Sequence, residues 1–257
     1  MEDIVGMLIP VTYIGLLILE RVFPARKLPA VRYWTLKGLV FFVLTMALSA
    51  VIPALTVRVF GAHSLLGLSA LPIWGGALLM LLVSELIGYF LHRAFHNVSF
   101  LWRFVHQLHH SAERLDVLGA AFVSPNEVLV GGVLNTLVAM ALGVRPDAAA
   151  IAGGVLVFAS IFQHANLKTP RIVGYLLQRP EAHSIHHARG VHAYNYGNIT
   201  LFDILFGTFR NPKEFSPVQG FWDGASSKIG AMLLGRAVSE ERAQGAPSSQ
   251  QDLLVPG

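Results

Sequence analysis

Five long runs of apolar residues, almost free of charged side chains, decide what this chain can fold into. A membrane-spanning helix needs about 20 apolar residues, and each run reaches or approaches that length. Only 13% of the 257 residues are charged, about half of the roughly 25% that is usual in soluble domains. We therefore predict an all-α integral-membrane helical bundle with about four to five spans. The runs cover residues 4–19, 38–57, 71–91, 117–142 and 148–162.

The distribution of basic residues predicts how the spans are oriented. Residues 21–37, between the first and second runs, carry five Lys and Arg side chains, and such a connector is expected on the cytoplasmic side. The second and third runs then cross the membrane and return, which places His92 at the cytoplasmic face. The fourth and fifth runs form a hairpin that brings His164 to the same face. The first run lacks the basic start of a cleaved signal peptide, so we interpret it as a membrane anchor.

Composition divides the chain into three predicted parts. Residues 1–70 hold the first two spans and the basic connector, and residues 71–210 form a histidine-rich catalytic domain. From Asn211 onward the chain is polar and rich in Ser, Gln and Gly, so we expect residues 211–257 to form a loose tail. The net charge of +4 lies mainly beside the apolar runs rather than in a basic stripe interleaved with aromatic residues. No nucleic-acid partner is therefore expected.

Histidine is unusually frequent, with 11 residues, and most of them occur in short clusters. His92 and His96 are four residues apart, which places both imidazoles on one helix face about 6 Å apart. One such pair is usually a surface feature, but the pattern HxxHH then occurs twice on unrelated stretches, which favours a shared site. These two motifs contain His106, His109, His110, His183, His186 and His187.

Three further histidines stand outside the clusters. His164 ends the fifth run and therefore joins the predicted cytoplasmic face. His63 lies in the opposite loop and is excluded by its position. His192 has no partner at a ligand spacing, so we leave it outside the set of metal ligands.

Nine histidines thus converge on one face, which is more than a single ion can bind. We expect two metal ions in a histidine-rich cap at the cytosolic ends of the spans. The chain has no cysteine, so thiolate ligands are excluded, and imidazole alone does not choose between zinc, copper, iron and nickel. Nearby carboxylates are expected to orient the ring N–H groups of the ligands. These candidate carboxylates are Glu113, Asp116, Glu127, Glu181 and Asp203.

Two other classes of protein could use the same histidines. A membrane protein that binds or transports zinc would place ionisable residues in the middle of its spans, whereas the runs here are nearly free of them. A zinc hydrolase would need a general base, and the pair His92–His96 lacks the internal Glu of an HExxH motif. Both classes are therefore disfavoured, and a zinc transporter and a zinc hydrolase stay as the alternatives.

The arrangement of motifs resembles the fatty acid hydroxylase/sterol desaturase superfamily over roughly residues 78–209. That resemblance implies a helical membrane enzyme with a cytosolic dimetal centre that contains iron when active. It also implies hydroxylation, desaturation or ether cleavage at a lipid C–H bond with O₂ and two electrons. The motifs that carry the resemblance are HRAFH at 92–96, HQLHHSAE at 106–113, HAN at 164–166, EAHSIHH at 181–187 and NYGNITLFDILFGTF at 195–209.

The resemblance also assigns ligands and partners. The lipid is expected to enter from the bilayer, and because no haem, flavin or Rossmann motif is present, a separate redox partner should supply electrons. Ser124 occupies a position where some relatives carry a histidine, which predicts either an open or water-filled position at one metal or a subgroup with altered chemistry. No retention signal ends the chain, so a bacterial inner membrane is expected. The implied metal ligands and catalytic residues are His92, His96, His106, His109, His110, His164, His183, His186 and His187.

Overall fold

The computed structural model describes the backbone of residues 2–240 and the side chains of residues 9–240, and it contains no β-strand in that range. The predicted all-α class is therefore confirmed. Short 3-10 helices occur at Leu68–Ala70, Arg171–Tyr175, Ala225–Ser227 and Val238–Glu240. The other helices are α1 (Glu2–Val22), α2 (Trp34–Phe60), α3 (Ile73–Asn97), α4 (Ser99–Leu101), a π-helix (Trp102–His106), α5 (Gln107–His110), α6 (Val117–Ala120), α7 (Pro125–Leu142), α8 (Pro146–Phe162), α9 (Pro180–His186), α10 (Leu201–Leu205) and α11 (Ile229–Leu233).

The long helices form a bundle whose outer surface is apolar. Helix α2 packs on α7, α3 packs on both α7 and α8, and α1 packs on α8. Large apolar side chains of α2 face outward, with Val43 65% exposed and Leu55 54% exposed. Since so much apolar surface is not left in contact with water, lipid covers the bundle and the chain is a membrane protein.

Three helices within the described residues are long and apolar enough to cross a membrane: α2, α3 and α7. Helix α8 is also apolar, but it has only 17 residues. The side chains of the first residues of α1 lie outside the described part of the chain, so α1 is not included in this count. The membrane-spanning character is thus confirmed, and four to five spans stay a prediction.

The fourth apolar run does not form one helix, because the chain turns sharply within it. Asp116 caps α6 by accepting a hydrogen bond from Gly119 N at 2.9 Å. Ser124 then caps α7 by accepting from Glu127 N at 3.2 Å, and Pro125 occupies the first helical turn, where its missing N–H costs nothing. The span therefore begins at residue 125 rather than at residue 117.

A tight turn between α7 and α8 returns the chain to the histidine end of the bundle. Gly143 ends α7 with φ +64°, and a Cβ at this position would collide with Ser64 Oγ. Only glycine fits both this backbone conformation and this close approach. Pro146 then begins α8, which carries His164 back towards His92, and both α7 and α8 pack against α3.

The C-terminal segment corrects one expectation. Residues 211–240 are not a loose tail, because Ala225 and Val238 are completely buried and Met232 is 1% exposed. These apolar side chains belong to the same hydrophobic core as Leu108 and Phe122, so the segment folds over that core. Residues 241–257, the rest of the expected tail, lie outside the described residues.

Candidate metal centre

The histidines at one end of the bundle form two groups whose ring nitrogens converge. Within each group, one nitrogen of every ring lies within 4.8 Å of those of the other members. The two groups adjoin, since the rings of His110 and His187 stack with centroids 4.1 Å apart. All nine predicted histidines are thus brought together. Group one is His92, His96, His106, His110 and His186, and group two is His109, His164, His183 and His187.

Both HxxHH motifs contribute to both groups. In each motif the first and last histidines join one group and the middle histidine joins the other. Helix geometry explains the division, because residues four apart lie about 40° apart around the axis, whereas neighbours lie about 100° apart. In the first motif, His106 and His110 belong to group one and His109 to group two. In the second motif, His183 and His187 belong to group two and His186 to group one, so each motif joins the two groups.

Four segments carry the histidines to this place. The last turns of α3 present His92 and His96, and the π-helix followed by α5 presents the first HxxHH motif. Such π-helical turns frequently occur at functional sites. The end of α8 leads directly into His164. Helix α9 begins at Pro180, which favours a helix start, and presents the second motif.

The orientation of the rings indicates where cations belong. In group one, the Nδ1–H of His92 donates to the carbonyl oxygen of Tyr196 at 2.6 Å, and that of His186 donates to the carbonyl of Tyr194 at 2.8 Å. Their Nε2 atoms therefore carry lone pairs, yet these atoms face each other at 3.1 Å. Two facing lone pairs repel each other unless a cation binds both, so the donor set fits a metal ion.

Group two shows the same arrangement. The Nδ1–H of His164 donates to the carbonyl oxygen of Ser160 at 2.7 Å, which leaves its Nε2 free to act as a ligand. That Nε2 lies 3.0 Å from Nε2 of His109 and 3.1 Å from Nε2 of His183. Nε2 of His187 lies 3.1 Å from that of His183. The four nitrogens thus converge, as ligands of one ion would.

Burial prepares these rings to bind metal. It lowers the pKa of every histidine in the two HxxHH motifs well below the usual value, and repulsion from neighbouring histidines lowers it further. Burial also lowers the pKa of His164 to about 4. Only neutral imidazole can act as a ligand, so these histidines are ready to bind metal at neutral pH.

Of the five predicted carboxylates, Glu127 alone contacts a histidine of the centre. Its Oε1 accepts from Nδ1 of His106 at 2.9 Å, which orients that ring towards group one. Asp203 does not contact a histidine itself, but it accepts hydrogen bonds from the backbone N–H groups of Tyr196 and Gly197 at 2.8 Å. It thereby holds the loop whose carbonyl oxygen binds His92.

The other three carboxylates serve the surrounding structure, which corrects our expectation for them. Glu113 accepts from the backbone N–H groups of residues 224 and 226. Asp116 accepts from Trp34 Nε1 at 3.0 Å. Glu181 forms a fully buried ion pair with Arg179 at 2.8 Å. Sequence proximity to a histidine did not predict which carboxylates reach a ring.

Comparison with known proteins agrees with this geometry. The fatty acid hydroxylase family model matches residues 77–208, a range that contains all nine histidines of the two groups.

The chain belongs to the fatty acid hydroxylase family.

Curated relatives of this family member carry several activities in their names. It is 34% identical over 155 residues to the fatty acid hydroxylase vlmA of a Lecanicillium species, covering 53% of this chain and 42% of the relative. It is 31% identical over 137 residues to the ornithine lipid hydroxylase OlsE of Rhizobium tropici, covering 51% and 41%. It is also 31% identical over 139 residues to the very-long-chain aldehyde decarbonylase GL1-9 of rice, covering 51% and 53%.

These matches cover about half of the length of the curated relatives or less. No solved structure matches the chain significantly. The resemblance inferred from the histidine motifs is nevertheless confirmed by the family match.

A buried carboxylate that our sequence analysis did not single out holds the family's closing loop against α3. Glu85 is 3% exposed and accepts from the backbone N–H groups of Asn198 and Ile199 at 3.0 and 2.8 Å. It also accepts from the side-chain amide of Asn198 at 2.8 Å. A lone acidic residue in an apolar span is costly unless it has partners, so Glu85 could have been recognised by that signal.

The loop that follows α9 adopts an unusual backbone conformation. His192, Tyr194 and Asn195 all have positive φ, at 43°, 67° and 51°, which costs energy for residues other than glycine. The buried side chain of Asn195 stabilises the loop by donating to Ala182 O at 2.8 Å. This conformation turns the carbonyls of Tyr194 and Tyr196 towards the histidines that they orient.

The two histidines left outside the predicted ligand set have different surroundings. His63 lies in the loop between α2 and α3, at the other end of the bundle. His192 belongs to neither group, but its Nδ1 lies 3.2 Å from Nδ1 of His110, and its ring contacts Trp102 and Phe221. Because Nε2 of His110 points into group one, His192 is placed to accept the Nδ1–H of that ring.

Proposed function

We propose that this chain catalyses the O₂-dependent oxidation of a lipid C–H bond, by hydroxylation or desaturation, with two iron ions bound by its nine clustered histidines. The convergence of lone-pair nitrogens in two adjoining groups carries the proposal. Membership of the fatty acid hydroxylase family and the lipid hydroxylases among the relatives support the reaction class.

The spacing of the nitrogens supports one metal ion in each group. The Nε2 contacts in group one are 2.9, 3.0 and 3.1 Å, and those in group two are 3.0, 3.1 and 3.1 Å. Nitrogens this close together can bind one ion within each group, and the choice of iron rests on membership of the fatty acid hydroxylase family.

The proposed irons would supply the capacity to activate O₂ with two electrons, which no protein side chain provides. The chain's own residues hold the ligands in one tautomer. Glu127 and the carbonyl oxygens of Ser160, Tyr194 and Tyr196 accept the Nδ1–H groups and keep Nε2 directed inward. Group one offers five histidines and group two offers four.

The aromatic residues of α3 indicate where a lipid could approach. Phe90 and Phe206 are 48% and 44% exposed, and their rings pack 5.0 Å apart. Behind them the buried ring of Tyr89 stacks on Phe206 and meets Tyr196 edge-on. Tyr196 in turn contacts His92 at 5.5 Å. This continuous aromatic path from the apolar surface to group one supports substrate entry from the bilayer.

The orientation of the centre and its electron supply are also part of the proposal. The basic connector at 21–37 lies at the histidine end of the bundle, which supports a cytoplasmic location for the site. We propose that a separate redox protein docks at this face and reduces the metals. The two zinc alternatives receive no specific support: histidine ligands alone do not choose between zinc and iron, and the carboxylate of Glu127 is bound to His106 and is therefore not a free general base.

The reaction class can be tested with ¹⁸O₂ and total membrane lipids. Purified iron-loaded protein, given a chemical reductant and a lipid extract, should convert a lipid species to one that gains ¹⁸O or loses two hydrogens, detected by mass spectrometry. The variant His109→Ala should lose this conversion, whereas the matched variant His63→Ala should retain it. Equal conversion by His109→Ala and the wild type would refute the assignment of the centre.

A further inference from the structure

A large cleft with basic walls lies beside the histidine centre and is not part of it. Its volume is about 1140 Å³, and it opens between the connector after α1 and the segment 217–227. None of the nine clustered histidines lines it. Four basic and two acidic side chains face the cleft, namely Lys27, Arg32, Lys37, Arg189, Glu113 and Asp223.

The two acidic side chains balance only half of the four positive charges. Asp223 pairs with Arg189 at 2.7 Å. Within the described residues, the other three cations form no ion pair at all. The second acid, Glu113, is 6% exposed, and its Oε1 already accepts from two backbone N–H groups. The cleft therefore has an excess of positive charge available to a ligand.

The three unpaired cations are held in different ways. Lys37 is half-buried and donates to the carbonyl and hydroxyl oxygens of Ser226 at 3.2 and 3.4 Å. The Arg32 guanidinium donates to the hydroxyl of Tyr33 at 2.9 Å and lies over that ring, which limits its freedom. Lys27 is exposed at the rim. Lys37 and Arg32 are therefore donors held in place by neighbouring groups, whereas Lys27 is an exposed charge at the rim of the cleft.

The position of the cleft points to the surface of the membrane. Helix α2 is a candidate span that begins at Trp34, so the connector before it lies where the span leaves the membrane. Gly38 of α2 packs against Leu118, where a Cβ would come within 2.8 Å. This contact ties the start of α2 to the histidine end of the bundle. The apolar side chains of Leu28, Val31 and Val218 also face the cleft.

We propose that this cleft binds the phosphate-bearing head group of an anionic membrane lipid, as a site separate from the histidine centre. Basic pockets at the ends of transmembrane helices attract such head groups because the phosphate meets several cations at once. The apolar residues at the cleft match the glycerol and the first part of the acyl chains. The volume is ample for a head group, since typical ligand pockets measure about 300–1,000 Å³.

The proposal can be tested by native mass spectrometry of the detergent-purified full chain. Phosphatidylglycerol and phosphatidylcholine are added in turn, and inorganic phosphate is added in a third arm. The double variant Lys27→Gln/Arg32→Gln removes two unpaired cations from exposed positions. The matched variant Arg21→Gln/Lys213→Gln removes the same charge from two residues that do not line the cleft.

The wild type should bind phosphatidylglycerol in preference to phosphatidylcholine, and the cleft variant should bind it about tenfold more weakly. The matched variant should stay within about twofold of the wild type. Retention of phosphatidylglycerol by the cleft variant, or equal losses in both variants, would overturn the proposal. Displacement of the lipid by low-millimolar inorganic phosphate would show a site for free phosphate and would also overturn it. Iron content, measured in parallel, should be the same in all three proteins.

Discussion

Replacing Glu127 by alanine removes the acceptor that orients His106. The two side chains form a contact of 2.9 Å, with His106 2% exposed and Glu127 20% exposed. A buried donor that loses its acceptor costs about 1–3 kcal/mol. Since about 1.4 kcal/mol corresponds to a factor of ten, the affinity of group one for iron should fall about 10–100-fold, which is the usual effect of losing such a partner.

The variant Glu127→Gln separates the hydrogen bond from the charge. Its amide oxygen can still accept from Nδ1 of His106, but a hydrogen bond to a neutral group is weaker by about 1 kcal/mol. The expected loss of affinity is therefore at most about tenfold. Group two, which does not contact Glu127, should keep its affinity in both variants.

Competition with a chromophoric iron chelator measures both affinities in one titration. The variant Glu214→Gln is a suitable control, because Glu214 is exposed and pairs only with Lys168 on the surface. If Glu127→Ala bound two irons with unchanged affinity, or if both irons weakened equally, the role assigned to this carboxylate would be refuted.

Three further changes test other parts of the structure. His192→Ala should reduce the iron affinity of group one by about tenfold and change its Mössbauer parameters, because Nδ1 of His110 loses its acceptor. The variant His192→Gln should restore most of the lost affinity. Unchanged Mössbauer parameters in the alanine variant would contradict this role of His192. Glu85→Ala strands three hydrogen-bond donors and should lower stability by about 3 kcal/mol or more, seen as early thermal unfolding, whereas a melting temperature equal to that of wild type would exclude the scaffolding role. Gly143→Ala should lower the melting temperature by several degrees, because its Cβ meets Ser64 in a backbone conformation that favours glycine; an unchanged value would argue against the α7–α8 turn as described.

The sequence predicted which histidines cluster because its signal is local. The spacing of four in His92 and His96, and the repeated HxxHH pattern, follow from the geometry of one helix turn. Apolar runs likewise predicted the all-α membrane fold. The convergence of His164 on the same face also followed from counting the spans, although His164 has no motif of its own.

The division of nine histidines into groups of five and four could not be predicted in this way. It depends on how α5 and α9 face each other, which only the packing determines. The acceptors of His92 and His186 are backbone carbonyls in a loop with positive φ, and backbone groups carry no sequence signal. The folded segment 211–240 was mistaken for a tail because its apolar stretch at 229–234 is short and lies between polar segments.

The most direct test of the dimetal centre is Mössbauer spectroscopy of protein expressed in iron-57 medium, combined with elemental analysis. Two irons per chain are predicted, with two distinct quadrupole doublets that reflect a five-histidine and a four-histidine site, and with magnetic coupling between them. Zinc alone, or a single iron that cannot be supplemented by anaerobic reconstitution, would contradict the account.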